Sequence, residues 1–422
     1  MSHIAVIGAG ITGVTMASKL LDRGFDVTVI ERQPYPAMET SFANGGQLSA
    51  SNAEVWNSWS TVFKGLKWLA RKDAPLSMNL SPSWHKYSWL SEFLLAIPAH
   101  RRNTIETARM AQMARGLLLD MADRAGIDFD LERRGILHFY KDAGEFEAGR
   151  RSSRLLAEAG LERREVSAEE ARRIEPTLGR DILGGFYTDS DFSGDIHKFT
   201  TGLAADIEVR GGRFLLDTRV SATRAHSDGV EIEIVQDGQH EVLEFDAVVV
   251  SAGVGSRAIA AQYGDRVNVY PVKGYSVTVQ MDAASQGAAP MVSLLDEKAK
   301  IVTSRLGDDR FRIAGTAEFN GANYDIRADR IKPLIDWCRD NFPGVCTRNA
   351  TPWAGLRPMM PNMMPRLGQG RSPLVFYNTG HGHLGWTLSA ATAEIVANSV
   401  HSQFHGTSRP ALVTGGLRPL AA

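Results

Sequence analysis

The feature that most constrains the fold is a glycine pattern near the start, Gly8-x-Gly10-x-x-Gly13, with Glu31 at the end of the next predicted strand. Gly8 permits a tight turn out of a strand, Gly10 lets the backbone approach a pyrophosphate, and Gly13 lets a helix pack closely on a sheet. The helix N-terminus offers free N–H groups to phosphates. Glu31 is placed to accept hydrogen bonds from a ribose.

The segments around these glycines supply the context that the motif needs. Residues 3–8 (HIAVIG) predict a buried parallel strand, residues 11–24 a helix that stops at Gly24, and residues 26–31 (DVTVIE) a second strand. Strand, glycine turn, helix and strand form one βαβ unit, whose crossover should be right-handed. The sequence therefore predicts a Rossmann-type dinucleotide site.

Composition excludes several classes of protein. The 422 residues carry 47 basic and 48 acidic side chains, so no global charge favours nucleic acid. Two cysteines, Cys338 and Cys346, are too few for a disulfide framework, and no metal site is expected. The first residues read as a strand rather than a targeting segment, and no run approaches the ~20 apolar residues of a membrane span. We expect a cytoplasmic protein.

Two glycine-containing segments favour a flavin over a nicotinamide. Residues 39–47 (ETSFANGGQ) form a small, polar stretch that could pass close to a flat ring system. Residues 380–386 (GHGHLGW) form a second glycine-rich turn, followed by a predicted helix over 387–399. The N-terminus of that helix would stabilise negative charge on the N1–C2=O edge of a reduced flavin. Two unrelated surface loops remain the alternative.

Five motifs in register give a specific resemblance. They are GAGITG at the start, E-T-S-x-A-N-x-G-Q-x-S from residue 39, P-V-K-G-Y-S (271–276), W-A-G-L-R-P (353–358) and N-T-G-H-G-H-L-G-W (378–386). Together they resemble the small, FAD-containing subunit of bacterial D-amino acid dehydrogenases, over residues 3 to about 400. More broadly, the chain is similar to the D-amino acid oxidase, glycine oxidase and sarcosine oxidase superfamily.

The resemblance implies noncovalent FAD and a role for each matching residue. The ADP half would be held by Gly8, Gly10, Ile11, Thr12, Gly13, Glu31 and Arg32, with Val220 on the adenine side and Ala252 and Gly253 under the diphosphate. The ribityl chain and ring would be lined by Ser41, Ala43, Asn44, Gly45, Gly46, Gln47, Gly380, His381, Gly382, His383, Leu384, Gly385 and Trp386.

The resemblance also assigns the substrate carboxylate to Arg357, and physical chemistry supports this independently. A planar guanidinium pairs a carboxylate bidentately and fixes the substrate against rotation. A surface salt bridge is the alternative for Arg357. Tyr275 is the second candidate for the pocket, with a core aromatic as its alternative. We interpret His381 and His383 as shaping the turn rather than as bases, because the Cα hydrogen leaves as hydride in this family.

The same signals predict the architecture, an α/β (α+β overall) fold. Parallel-strand patterns lie at the N-terminus, near 245–253 and near the C-terminus, whereas residues 270–316 alternate like antiparallel sheet. We therefore predict two interleaved domains. A Rossmann-type FAD-binding domain takes residues 1–80, 165–269 and 355–422, and an antiparallel-sheet substrate domain takes residues 81–164 and 270–354.

The predicted activity is oxidation of a D-amino acid by hydride transfer from Cα to flavin N5, giving an imino acid that hydrolyses to a 2-oxo acid and ammonia. D-Proline or 4-hydroxy-D-proline would give a cyclic imine instead. Two methionines and Arg366 follow Arg357 where the family has a Pro-Asp-Gly-x-Pro turn, which leaves the side-chain preference open. A dioxygen-using oxidase, a non-catalytic flavin-binding subunit and a nicotinamide dehydrogenase are the alternatives.

The segment 56–102 bears on the electron acceptor. Five tryptophans interleave there with basic residues that include Lys64, Lys67, Arg71 and Lys72. That composition suits the headgroup region of an anionic membrane, although a partly buried basic subdomain has the same composition. With the resemblance, it predicts a peripheral contact with the inner membrane face and a quinone as acceptor.

Overall fold

The computed structural model describes residues 2–69 and 74–406. Its strands are β1 (His3–Ile7), β2 (Asp26–Ile30), β3 (Gln47–Leu48), β4 (Leu76–Met78), β5 (Ile136–Tyr140), β6 (Arg164–Ser167), β7 (Gly184–Thr188), β8 (Phe192–Ser193), β9 (Arg213–Leu215), β10 (Arg219–Ala225), β11 (Val230–Gln236), β12 (Gln239–Phe245), β13 (Ala247–Val250), β14 (Tyr270–Gln280), β15 (Ser293–Asp296), β16 (Ile301–Leu306), β17 (Arg310–Phe319), β18 (Thr351–Met359), β19 (Arg366–Gln369) and β20 (Val375–Thr379). Its α-helices are α1 (Ile11–Leu21), α2 (Trp59–Leu69), α3 (Trp84–Leu95), α4 (His100–Ala125), α5 (Ala143–Ala157), α6 (Ala168–Ile174), α7 (Ile196–Val209), α8 (Ser256–Gln262), α9 (Ala283–Ala288), α10 (Ala328–Asn341) and α11 (Gly385–His405).

A six-stranded sheet in the order β19-β20-β13-β1-β2-β9 carries the predicted nucleotide unit. Its strands are parallel except β19, which runs antiparallel to β20. Ile4 on β1 lies between Val27 of β2 and Ala247 of β13. These strands read as continuous apolar runs because helices bury the sheet, with α1 packed on α7 and α11. The predicted third strand near 245–253 is therefore β13.

A larger mixed sheet forms the second layer. Its order is β18-β14-β17-β16-β15-β5-β7-β6, and β4 pairs with β17 in parallel. The pairs β14–β17, β17–β16 and β16–β15 are antiparallel, as the pattern over residues 270–316 predicted. Strand β18 also pairs antiparallel with β14, and α10 packs against β14 and β17. A separate antiparallel sheet, β10-β11-β12, lies next to α8. The α/β fold class is confirmed.

The pairing of strands argues for different domain boundaries from those drawn on the sequence. Strands β6 and β7, in the segment assigned to the FAD domain, extend the mixed sheet instead. Helix α4, assigned to the substrate domain, packs against α11. Within the charged residues 151–175, β6 separates α5 from α6. Val166 of β6 is buried between exposed neighbours, which is a strand pattern too short to recognise in a charged sequence.

Candidate active site

One cavity of about 920 Å³ runs from the β1–α1 turn to the strands β14, β17 and β18. Every residue predicted from the sequence to contact cofactor or substrate lines it, except Gly13. Those lining residues are Gly8, Gly10, Ile11, Thr12, Glu31, Arg32, Ser41, Ala43, Asn44, Gly45, Gly46, Gln47, Val220, Ala252, Gly253, Tyr275, Arg357, Gly380, His381, Gly382, His383, Leu384, Gly385 and Trp386. Segments remote in the sequence thus converge on one space.

The β1–α1 turn shows why its glycines differ in role. Gly8 has φ of +105°, a conformation that side chains rarely adopt. A Cβ on Gly13 would lie 1.8 Å from the carbonyl oxygen of Gly8, so Gly13 serves the packing of α1 and does not reach the cavity. A Cβ on Gly10 would meet nothing closer than Ser41 Oγ, at 3.5 Å. The backbone at Gly10 is therefore open to a ligand.

The carboxylate of Glu31 is held in a fixed orientation at the same end of the cavity. The backbone N–H of Ala9 donates to Oε2 at 2.7 Å, and that of Gln33 donates to Oε1 at 2.9 Å. Burial raises the pKa of Glu31 above its usual range. Each oxygen keeps a further lone pair, so Glu31 retains the capacity to accept a bond from a ribose hydroxyl. Arg32 is exposed and pairs with Glu39.

Residues 43–47 form one wall of the cavity and are hydrogen-bonded to the mixed sheet. Ser276 Oγ donates to the Ala43 carbonyl at 2.7 Å, and Ser304 Oγ donates to the Gly45 carbonyl at 2.7 Å. Gln47 Nε2 donates to the Leu294 carbonyl at 3.0 Å. The mixed sheet therefore fixes this glycine-containing segment by side-chain hydrogen bonds, which gives it the rigidity that a cofactor wall requires.

Two buried polar atoms in the wall fit a polar cofactor. Ser251 follows β13, Trp386 lies in the first turn of α11, and both residues line the cavity. Neither Ser251 Oγ nor Trp386 Nε1 has a hydrogen-bond partner among residues 2–69 and 74–406. A buried donor without a partner is costly and calls for a ligand or water. The first turn of α11 also contains no acidic residue, so its positive end is available to an electron-rich group. These features, with the opening at Gly10, fit a molecule such as FAD.

The two histidines of the C-terminal turn differ in their contacts. His381 is buried and its Nε2 lies 2.9 Å from Thr392 Oγ1, whereas His383 stacks on Trp56 with ring centroids 4.6 Å apart. Burial lowers the pKa of both imidazoles to about 3, and the charge of Arg357 adds to the effect at His383. Both rings are therefore neutral at neutral pH and too weakly basic to take a proton from an ammonium group.

Arg357 projects from β18 into the cavity wall. Its Nη1 donates to the Thr316 carbonyl at 2.9 Å, and its guanidinium lies over Gly274, where a Cβ would come within 2.3 Å of Cζ. Burial lowers its pKa to about 10, and no carboxylate of the described residues offsets that cost. The side chain is thus a charged, enclosed cation at neutral pH. A surface salt bridge, the alternative interpretation, is not what the geometry shows.

Tyr275 is placed less favourably than the sequence suggested. Its side chain is 1% exposed, and its hydroxyl donates to the buried carboxylate of Glu318. Burial and this bond raise the pKa of the phenol. The residue belongs to an internal charge network with Lys273, whose Nζ lies 3.5 Å from Glu318 Oε2. The reason is the strand pairing of β14 with β17, which directs this hydroxyl towards Glu318.

The departure from the family motif after Arg357 also has a structural outcome. Met363 lines the cavity, and Met364 Sδ accepts a bond from Thr107 at 3.1 Å. Arg366 lies on β19, where its guanidinium bonds to the carbonyls of Leu367 and Gln369. It is not among the residues that line the cavity, so the added charge does not face a substrate there.

Three residues of the site gave no usable signal in the sequence. Trp56, Ser251 and Thr316 all line the cavity. Trp56 was one tryptophan among five in a basic stretch, and Ser251 was part of a strand ending. Thr316 lay inside an ordinary alternating strand, and only the pairing of β17 with its neighbours reveals its position.

Comparison with known proteins identifies the family. The family model described as "FAD dependent oxidoreductase" matches residues 3–399. The chain belongs to this family. A D-amino acid dehydrogenase 3 of Mesorhizobium japonicum is 59% identical over 401 residues, which cover 95% of this chain and 97% of the relative. A D-amino acid dehydrogenase of Dechloromonas aromatica is 41% identical, with 94% and 96% covered.

A solved structure supports the fold. Glycine oxidase from Geobacillus kaustophilus superposes with a TM-score of 0.74 at 20% identity, over 95% of each chain. The resemblance inferred from the five motifs is therefore confirmed. FAD is the cofactor of the family, and the chain is an FAD-dependent oxidoreductase. The roles of the individual residues stay predictions.

Proposed function

We propose that the chain oxidises the Cα–N bond of D-amino acids, with Arg357 as the carboxylate clamp. The observation that carries the proposal is an enclosed guanidinium in the cavity wall that no carboxylate of the described residues neutralises. Burying an unpaired charge is costly, and a ligand carboxylate would remove that cost. The D-amino acid dehydrogenases that this chain is similar to give the substrate class.

The residues of this chain would orient the substrate in the cavity. Arg357 would fix the carboxylate, and the neutral ring of His383 would lie beside it. FAD, when bound, would supply the hydride acceptor. Loss of a hydride from Cα of the neutral amine leaves the nitrogen lone pair to form the C=N bond of a protonated imino acid. The imino acid then adds water and releases ammonia and a 2-oxo acid, whereas a ring substrate such as D-proline would give a cyclic imine.

A panel of amino acids tests the substrate class. Under anaerobic conditions, D-amino acids should bleach the visible flavin bands within one turnover, and the L-enantiomers should not. D-Alanine, D-proline and 4-hydroxy-D-proline would rank open-chain against cyclic substrates. No bleaching by any D-amino acid, in protein that dithionite reduces normally, would contradict the proposal and favour the non-catalytic flavin-binding alternative.

The electron acceptor is proposed from a surface beside the cavity. Helix α2 has no buried residue. The side chains of Trp59, Phe63 and Leu66 are 58%, 61% and 61% exposed. Trp84, the first residue of α3, is 82% exposed as well. Because Leu66 and Leu69 also line the cavity, a membrane quinone could approach the site from this side. We propose a quinone as acceptor and this surface as the peripheral membrane contact.

The structure divides the basic residues of this segment into different groups. Lys67 is exposed, whereas Lys64 Nζ lies 2.8 Å from Glu145 Oε1. Trp89 and Lys86 are buried, so part of the segment is ordinary core. Arg71 and Lys72 lie outside the described residues. The apolar face of α2, more than its charge, therefore supports the proposed contact. No helix within residues 2–69 and 74–406 is long and apolar enough to cross a bilayer.

Replacing Trp59 and Phe63 by serine tests this surface. We expect binding to anionic vesicles to fall about tenfold, because two large apolar side chains would no longer enter the interface. Reoxidation by quinone in those vesicles should slow in parallel, while reduction by substrate stays normal. Val242→Ser is the control, because it removes an apolar side chain that is 59% exposed on β12, away from α2 in the sequence. Stoichiometric peroxide formed as fast as dye is reduced would instead favour the oxidase alternative.

A further inference from the structure

An irregularity in the mixed sheet lies next to Arg357. Along β14 and β17, Lys273 pairs with Glu318 and Tyr275 pairs with Gly315. Two steps on β14 therefore correspond to three on β17, so Thr316 and Ala317 together face Gly274. This is a β-bulge with one extra residue in β17. The guanidinium of Arg357 lies over Gly274, directly at the bulge.

The bulge places a threonine in a conformation that suits glycine. Thr316 has φ of +59°, in the left-handed region. Bulges of this kind usually carry glycine there, and a β-branched residue with positive φ is a genuine outlier. Such strain concentrates at functional sites. The position thus keeps a side chain that the backbone disfavours.

The two polar groups of Thr316 differ in their partners. Its carbonyl accepts the 2.9 Å bond from Arg357 Nη1. The residue lines the cavity, and its buried hydroxyl Oγ1 has no hydrogen-bond partner among the described residues. The carbonyl would be available from any amino acid at this position. The hydroxyl is what distinguishes threonine from glycine here.

We propose that the Thr316 hydroxyl binds the substrate carboxylate together with Arg357, by donating a hydrogen bond to one of its oxygens. The bulge carries the carbonyl and the hydroxyl of one residue to the clamp, the first to orient the guanidinium and the second to meet the ligand. This inference rests on the proposed function, because it takes the carboxylate of a D-amino acid as the ligand of Arg357.

Three variants of Thr316 separate hydroxyl, shape and strain. Thr316→Val keeps the β-branched shape and the carbonyl but removes the hydroxyl. Thr316→Ser keeps the hydroxyl, and Thr316→Gly removes it while relieving the positive φ. The probe is benzoate, a carboxylate without an amine, whose Kd for the FAD-loaded protein is read from perturbation of the flavin bands. D-Alanine or the best substrate of the panel then supplies KM and kcat.

We expect Thr316→Val to raise the Kd of benzoate and the KM about tenfold, with a smaller effect on kcat. Thr316→Ser should restore both constants to near the starting values. Thr316→Gly should bind benzoate as weakly as Thr316→Val while its melting temperature rises or holds, because glycine accepts φ > 0 without strain. Weaker binding with equal or greater stability is a result that a purely structural role would not give.

Unchanged benzoate binding in Thr316→Val, or equal weakening in Thr316→Ser, would overturn the inference. Arg357→Ala distinguishes that failure from failure of the proposed function. If Arg357→Ala weakens benzoate binding and Thr316→Val does not, only the role of the hydroxyl is wrong. If Arg357→Ala leaves benzoate binding unchanged, the carboxylate clamp itself is wrong.

Discussion

Protein carrying Gly10→Trp should purify without its yellow colour. A side chain at this position meets only Ser41 Oγ at 3.5 Å before it enters the cavity, so an indole would occupy the space of the pyrophosphate. We expect FAD content to fall from about one per chain to below about a tenth, because close backbone approach is what the second glycine of the motif provides. The measurement is the visible absorbance of purified protein and of FAD released by denaturation.

The fold should survive this change, which a matched control can show. Gly116→Trp places the same side chain at an exposed glycine of α4, where an added Cβ would meet nothing within 4 Å. That variant should stay yellow. Added FAD should raise the melting temperature of the control protein and leave that of Gly10→Trp unchanged, since only a ligand of the folded state stabilises it. Wild-type protein that is colourless and cannot be reconstituted with FAD would contradict the assignment of the cavity.

Arg357→Ala should keep its FAD and lose most of its activity. Loss of one charged hydrogen-bonding partner costs about 1.5–3 kcal/mol, or roughly one to two powers of ten in substrate binding and flavin reduction. Arg357→Lys should recover only part of this, because a point charge cannot pair a carboxylate bidentately. Stopped-flow reduction at several substrate concentrations gives the Kd and the limiting rate separately.

Arg366→Ala is the matched control for the loss of an arginine. Arg366 is close to Arg357 in the sequence, but its guanidinium bonds to the carbonyls of its own strand and lies over the ring of Tyr377, 5.4 Å from the centroid. Its removal should leave flavin reduction within about twofold of wild type, as is usual for surface substitutions. Equal losses in both variants, or none in Arg357→Ala, would show that Arg357 is not the clamp.

Local sequence patterns were sufficient to predict the nucleotide unit and the family. The turn at Gly8, the opening at Gly10 and the position of Glu31 depend on residues that are neighbours in the chain or one βαβ unit apart, so local rules suffice for them. The same holds for α1, for α11 and for β14 to β17, whose apolar patterns repeat over many residues.

The arrangement of the carboxylate side of the site became visible only in the folded chain. The enclosure of Arg357, the bulge that brings Thr316 to it and the bond that holds Tyr275 on Glu318 all depend on the pairing of β14 with both β17 and β18. The placement of β6 and β7 in the mixed sheet could not be predicted from the sequence for the same reason. The sequence of a single strand shows which residues alternate between its two faces. Strand register and bulges depend on the pairing of segments that are far apart in the chain, so no local sequence pattern predicts them.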